Sequence, residues 1–445
     1  MSSKIHLVEL FSGIGSQARA LQNIGADPRV VATCEWDIHA IIAYDLIHNR
    51  DMSIEPEFEK MSSKEMFEIM DAMHLSSEGK RLMDRNTLKA LSDESKRRIL
   101  SSIKRTANKI DIQQVKGRDL PKKIDIMTYS FPCQDLSNVG AFHGYTKGID
   151  RDAGNRSCLL WEVERILLER RDESLPLPKF LLLENVPALL SERHKKNFDE
   201  WQDILRELGY YNKYFKLNAT DFGCPQNRQR LLMISVFIAG REDIKVKLDE
   251  YFNTHNLEDP AFRATLNFKK TKLEDCLHMD YDHNPADYHE ALQAQPNDTP
   301  SRLKIWEDNL KITDEDGQLL TDHVATVTTK QDRNPNSGNL YFNPPNDKSR
   351  YHFLTPRECI RIMGFEEQDY DILQMGNCYP SSKYSLFTRD KIYRLAGNSI
   401  SVKILEAVFS LIMEIREKNL ARTVPVKKQE DCKNSSRRKN DRCKK

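Results

Sequence analysis

Apolar residues fall into short blocks that stop at a small, polar or acidic residue, and blocks of strand length alternate with stretches of helical period. Residues 5–11, IHLVELF, predict a buried strand, 12–15 a small-residue turn, 16–24 a helix, and 29–34, RVVATC, a second strand ending at Glu35, Trp36 and Asp37. A strand, turn, helix and strand within about 35 residues has the size of a βαβ unit. The alternation resumes with a strand at 124–130 (IDIMTYS) that runs into Phe131, Pro132 and Cys133. A helix at 157–169, a strand at 179–184 (KFLLLE), a helix at 198–208 and a strand at 230–237 (RLLMISVF) follow. The pattern predicts an α/β, Rossmann-like domain.

Two regions break the alternation. Residues 50–109 are rich in Met, Lys, Glu and Ser, and stretches such as SSKEMFEIMDAMHL have a helical period, so they read as a helical insertion into the sheet domain. From about 240 to 350, Asn, Asp, Pro, His and Thr dominate and the periodicity weakens, which predicts a smaller, irregular second domain. Helices return at 356–364 and, strongly amphipathic, at 400–417; from 421 the chain reads as a disordered tail rich in Lys, Arg, Ser and Asn. No run approaches the 18 or so apolar residues of a membrane span. The first 15 residues lack the layout of a signal peptide, so a cytoplasmic protein is expected.

Charge and cysteine usage narrow the picture. Across 445 residues, 68 Lys and Arg balance 67 Asp and Glu, which excludes a protein that binds polyanions by bulk charge. An apolar content of 39% is enough for a sizeable core. The nine cysteines are scattered without a CxxC pair, so neither a metal site nor a disulfide framework is indicated. A single cysteine in a special setting is then a candidate nucleophile.

The candidate chemistry lies at strand ends. Phe11, Gly13 and Gly15 follow the first strand, with Glu35 twenty residues after Gly15. A glycine turn lets a ligand approach the backbone, and an acid ending the second strand can accept both hydroxyls of a ribose. Ser16 stands where a third glycine would favour a pyrophosphate. A phosphate-free nucleoside cofactor such as S-adenosylmethionine therefore fits better than a dinucleotide, with Trp36 placed to stack on adenine.

Cys133, in Phe131-Pro132-Cys133-Gln134, stands at the carboxyl end of a strand, where open α/β sheets bind ligands. Gly140, Gly144 and Gly148 after it suggest a lid. Glu184 closes an apolar strand and opens Glu184-Asn185-Val186-Pro187, a carboxylate suited to donate or share a proton. Arg228 and Arg230, two apart in Gln226-Asn227-Arg228-Gln229-Arg230, point to one face and would hold an anion or buttress that carboxylate. Residues 355–365 read as a capped helix with a salt-bridged face, and Ala396-Gly397-Asn398-Ser399 as a polar turn before the amphipathic helix.

In order and spacing, FxGxG, EW, DIQQV at 111–115, FPCQ, RSCLLWE at 156–162, ENV, PQNRQR, TPRECIRIMGF and AGNS resemble the motifs of DNA (cytosine-5)-methyltransferases of restriction–modification systems. The resemblance covers roughly 1–50, 110–236 and 354–413. It implies S-adenosylmethionine binding by Phe11, Gly13, Gly15, Glu35, Trp36, Asp111, Ile112, Pro132, Leu159 and Asn398, without a metal. It also implies Cys133 as the nucleophile toward a flipped cytosine, with Glu184, Arg228 and Arg230 in the same pocket. Arg357, Glu358 and Arg361 would organise the recognition domain. Two departures stand out: RSCL replaces the family's RGTL-like stretch, and the insertion at 50–109 is long for a compact member.

On this reading the chain divides into a catalytic domain at 1–236, a target-recognition domain at 237–384, a segment at 385–420 returning to the catalytic domain, and the tail at 421–445. A monomer acting on double-stranded DNA is expected, alongside a restriction endonuclease for the same site. Lys330, Gln331 and Arg333, in a stretch of amides, hydroxyls and cations, are the candidates to face DNA. The four parts carry +1, −9, +2 and +7. DNA contact must therefore rest on a few placed cations, with the tail adding a salt-sensitive contribution. Two rival readings are an RNA cytosine methyltransferase using the same cysteine chemistry, and an inactive regulator that binds the cofactor as a ligand. The large irregular region argues against the first, and Cys133, Glu184 and Arg228 together argue against the second.

Overall fold

The apolar blocks assemble into one sheet. Its strands are β1 (Ile5–Leu10), β2 (Pro28–Cys34), β3 (Ile126–Tyr129), β4 (Phe180–Asn185), β5 (Tyr210–Asn218) and β6 (Gln229–Phe237). They stand in the order β2-β1-β3-β4-β6-β5. The first four pair in parallel, whereas β6 runs antiparallel to both β4 and β5. This computed structural model describes residues 4–132, 136, 149–151, 156–380 and 385–421; Cys133, Gln134, the loop with Gly140, Gly144 and Gly148, and the tail from 422 lie outside the described residues.

The central strands are mainly apolar because both of their faces are covered. Phe180 and Leu182 enter one core, and Leu181 and Leu183 the other. Five of the six strands follow from that run of apolar residues. The sixth, β5 (YYNKYFKLN), does not, because it is an edge strand whose outward positions are polar. Strand order reverses at β1, with β2 on one side and β3 and β4 on the other. In sheets of this kind ligands bind outside the carboxyl ends of the strands at such a switch point.

The insertion is helical, as its period predicts: Pro56–Glu59, Ser63–Asp71, Arg85–Ala90 and Asp93–Arg105. It is tied to the helix Ile38–Asn49 by Arg105, whose Nη2 lies 2.6 Å from the fully buried carboxylate of Asp45. After β6 the helix Glu242–Thr254 turns back onto the sheet domain. Tyr211 stacks on Phe252 at 5.9 Å, and Tyr251 donates to Glu414 at 2.9 Å. The body thus continues past residue 237.

The irregular region has a two-stranded ladder, β7 (Asn339–Tyr341) with β8 (Tyr351–Phe353), and a small core of Ile305, Tyr351 and Phe353. Several of its other apolar residues, among them Ile312, Val324 and Leu354, join the main core. The predicted cap at Thr355 is a capping box with Glu358. Arg357 pairs with Glu290, Glu367 and Asp371, and the buried Glu358 accepts the His278 N–H at 3.0 Å. These bonds fasten the irregular region to the body. The stretch Arg389–Glu417 is apolar and long enough to cross a bilayer, yet most of it is buried within the protein. It forms two helices, Arg389–Asn398 and Val402–Glu417, and its apolar side chains complete the core.

Candidate functional site

The loop after β1 is shaped by three residues with positive φ: Phe11 at 58°, Gly13 at 53° and Gly15 at 81°. Such a conformation suits glycine and strains phenylalanine, and strain of this kind gathers at functional sites. At Gly15 a Cβ would lie 2.1 Å from His48 Nε2, so only glycine lets the loop rest on the helix Ile38–Asn49. At Gly13 a Cβ would meet nothing within 4 Å; that side of the loop is open.

Glu35 closes the other wall. Its carboxylate accepts the N–H groups of Gly13 at 3.0 Å and of Trp36 and Asp37, both at 2.9 Å. Burial pushes its carboxyl up to about 7, and the neighbouring Asp37 charge adds to the effect. Asn108 brackets this acid: its Oδ1 accepts the N–H of Glu35 at 3.0 Å and of Ile110 at 2.9 Å, and its Nδ2 donates to the Glu35 carbonyl at 2.9 Å. Asp111 follows directly in the chain, and Ile112 is buried beside it. Leu159 ends a 3₁₀ turn, Arg156–Leu159, and Asn398 is exposed at the end of its helix.

Two residues here escaped the sequence reading. Glu9 is fully buried in β1, accepting the Ala18 N–H at 3.2 Å and the Tyr44 hydroxyl, and burial pushes it up to about 7. An acid interrupting an apolar strand was the signal. Asn108 offered none, because its partner lies 73 residues away.

At the ends of β3 and β4 a second group converges. Glu184, almost fully buried, meets Ser130 Oγ through Oε2, and Arg230 Nε lies 2.9 Å from its Oε1. Asn185 donates to the Phe131 carbonyl at 3.1 Å, and Ser157 donates to the Pro132 carbonyl at 2.7 Å. Both carbonyls that precede Cys133 are therefore held.

The two arginines part company. Only Arg230 reaches Glu184. Arg228 is buried and donates to the carbonyls of Val327 (2.8 Å), Gly397 (2.9 Å) and Ser399 (2.7 Å). Arg228 stands one residue before β6 begins at Gln229. Gln226, also buried, accepts the Val327 N–H at 2.8 Å. At Gly397 a Cβ would lie 2.4 Å from the backbone of Thr328 and Thr329, so the loop through these threonines crosses the end of the helix Arg389–Asn398 at a point only glycine permits; the turn predicted at 396–399 is helical through Asn398.

That loop presents two of its three candidates. Lys330 and Arg333 are exposed. Gln331 is not: its amide donates to the Thr328 carbonyl at 3.2 Å and accepts the Ser337 N–H at 3.4 Å, which shapes the loop from within.

The family model of C-5 cytosine-specific DNA methylases matches residues 61–414. The orphan methyltransferase M.SssI of Spiroplasma monobiae is 30% identical over 427 residues, covering 92% of this chain and 98% of its own. The type II methyltransferase M2.ScrFI of Lactococcus lactis subsp. cremoris is 29% identical over 408 residues, covering 91% of this chain and 98% of its own. Among solved structures, the S. pombe Dnmt2 methyltransferase is alike in fold, with a TM-score of 0.55 at 18% identity over 92% of this chain and 98% of that one.

Proposed function

We propose a residue-level mechanism from one premise: the chain belongs to the C-5 cytosine-specific DNA methylase family, whose reaction is S-adenosylmethionine-dependent methylation of cytosine in DNA. The cradle after β1 fits that cofactor. The open side of Gly13 leaves room for a ligand against the backbone, and the half-buried Glu35 carboxylate can take the ribose hydroxyls. Phe11, Gly15, Trp36, Asp111, Ile112, Pro132, Leu159 and Asn398 complete the holding set. When bound, the cofactor supplies an electrophilic methyl group.

Cytosine C5 is a poor nucleophile. The Cys133 thiolate adds to C6, forming an S–C6 bond, while N3 takes a proton on the edge that Glu184 hydrogen-bonds. C5 thereby becomes an enamine-like carbon, competent to accept the methyl group. Loss of the C5 proton, cleavage of S–C6 and return of the N3 proton to the Glu184 side restore the neutral aromatic base and the thiolate. Arg230 and Ser130 hold Glu184 in place. The target base must leave the duplex stack, at a cost of a few kcal/mol. One observation carries this reading. The Glu184–Arg230–Ser130 cluster adjoins a segment whose Phe131 and Pro132 carbonyls are pinned, which orients the chain entering Cys133. Lys330 and Arg333, on the loop clamped by Arg228, Gln226 and Gly397, face DNA. A restriction endonuclease sharing the site accords with the type II relative, whereas M.SssI is named an orphan.

Bisulfite sequencing of DNA from cells expressing the protein tests the assignment. The expected result is 5-methylcytosine at one recurring short sequence. Methyl transfer to RNA with DNA left unmodified would overturn it.

Cofactor binding should depend on pH through Glu35. Ribose hydroxyls are donors and favour the ionised acid, whose carboxyl titrates at about 7. Affinity should therefore weaken as pH falls through 7 and recover above it. Glu35→Gln should weaken binding roughly 100-fold, since charge-assisted hydrogen bonds carry ~1.5–3 kcal/mol each, and should flatten the pH dependence. Calorimetric titration across that range checks both effects; an unchanged dissociation constant removes Glu35 from the site.

A further inference from the structure

The helical insertion contributes to the cofactor side of the molecule. Past the helix Ser63–Asp71 the chain runs along the end of β2. Ser76 N donates to the Trp36 carbonyl at 2.8 Å, and Ile38 N donates to the Ser76 carbonyl at 2.9 Å. Met73 packs against the core and Leu75 is buried within it. His74, between these two anchors, faces the other way, and its Nδ1 lies 2.6 Å from Asp111 Oδ2. The other carboxylate oxygen of Asp111 accepts the Gln113 N–H at 3.0 Å. The segment is also held from behind, since Lys391 donates to the Ser77 carbonyl at 2.9 Å.

Asp111 directly follows Ile110, whose N–H is held by the same Asn108 side chain that brackets Glu35. Each oxygen of the Asp111 carboxylate has one anchored bond, and an ionised carboxylate keeps further lone pairs for a ligand's donors. A side-chain acid that meets a ligand works best when a neighbouring group fixes its rotamer. From this geometry, and on the proposed reading of Asp111 as a cofactor contact, we propose that His74 is a positioning residue of the cofactor site. The insertion thus supplies the group that orients Asp111 toward the adenosine portion of S-adenosylmethionine. His74 donates through Nδ1–H and touches no reacting atom.

The test uses the full chain and measures dissociation constants for S-adenosylmethionine and S-adenosylhomocysteine by calorimetry. His74→Ala should weaken both roughly tenfold, the lower end of what loss of an orienting partner costs. Its kcat at saturating cofactor and its melting midpoint without cofactor should stay near wild type. His74→Asn, whose amide can donate in the same direction, should recover affinity to within about threefold. The double variant His74→Ala/Asp111→Ala should bind no more weakly than Asp111→Ala alone, since a coupled pair is not additive. If Asp111→Ala weakens binding but His74→Ala does not, or if the two losses add, the positioning role is overturned. If Asp111→Ala itself binds normally, the cofactor role of Asp111 fails first and the inference falls with it.

Discussion

Cys133→Ala is expected to lower kcat by on the order of 10⁴-fold or more, the scale of loss when a covalent nucleophile is removed, while S-adenosylmethionine and duplex DNA still bind. The size of the effect follows from the chemistry. Without a thiolate adding at C6, C5 stays part of an aromatic ring and does not react with a methyl donor. Binding should survive because the described elements around the site have anchors of their own. Phe131 and Pro132 are held by Asn185 and Ser157, and the cofactor cradle is built by β1, β2 and the insertion. A labelled-methyl assay measures the loss. Duplex DNA carrying 5-fluorocytosine gives a second readout: wild type should be trapped covalently, because fluorine at C5 cannot leave as a proton does, and the variant should not. Robust turnover by Cys133→Ala would remove the covalent mechanism.

Glu184→Gln is the second large effect, with kcat expected to fall roughly 10²–10³-fold, within the span of a lost proton-transfer or proton-sharing group. Glutamine keeps the size of the side chain and can still meet Ser130. It loses the negative charge and leaves the Arg230 guanidinium, 2.9 Å away, against a neutral amide. Stabilisation of the N3-protonated base is lost while the ground-state fit of the base is largely kept, so kcat should suffer more than DNA affinity. Arg230→Ala should cost less than Glu184→Gln, and the double variant should lie close to Glu184→Gln alone, because the arginine acts through the acid. A loss below about tenfold for Glu184→Gln would move proton handling to another group. Single-turnover measurement is the appropriate check, since it separates the chemical step from product release.

The contrast between Arg228 and Arg230 shows where sequence reasoning stops. Two residues apart on a strand, they would share a face, and Arg230 does reach Glu184. Arg228 lies one residue before the strand begins, and its guanidinium joins three backbone carbonyls from two distant segments. Gln331 follows the same logic. An amide suits base reading, but packing turns this one inward, and the exposed Lys330 and Arg333 remain the proposed DNA contacts.

By itself, the sequence determined what is local in the chain: the apolar runs that become doubly covered strands, the glycines that permit the turn after β1, and the acids placed at strand ends. Each follows from periodicity or backbone sterics over a few residues. Only the tertiary structure decided the partners. Glu35 with Asn108, Arg228 with Gly397, and His74 with Asp111 are pairs separated by 37 to 169 residues. The partner of a buried polar group is set by which segments the whole core brings into contact, and no local pattern encodes that.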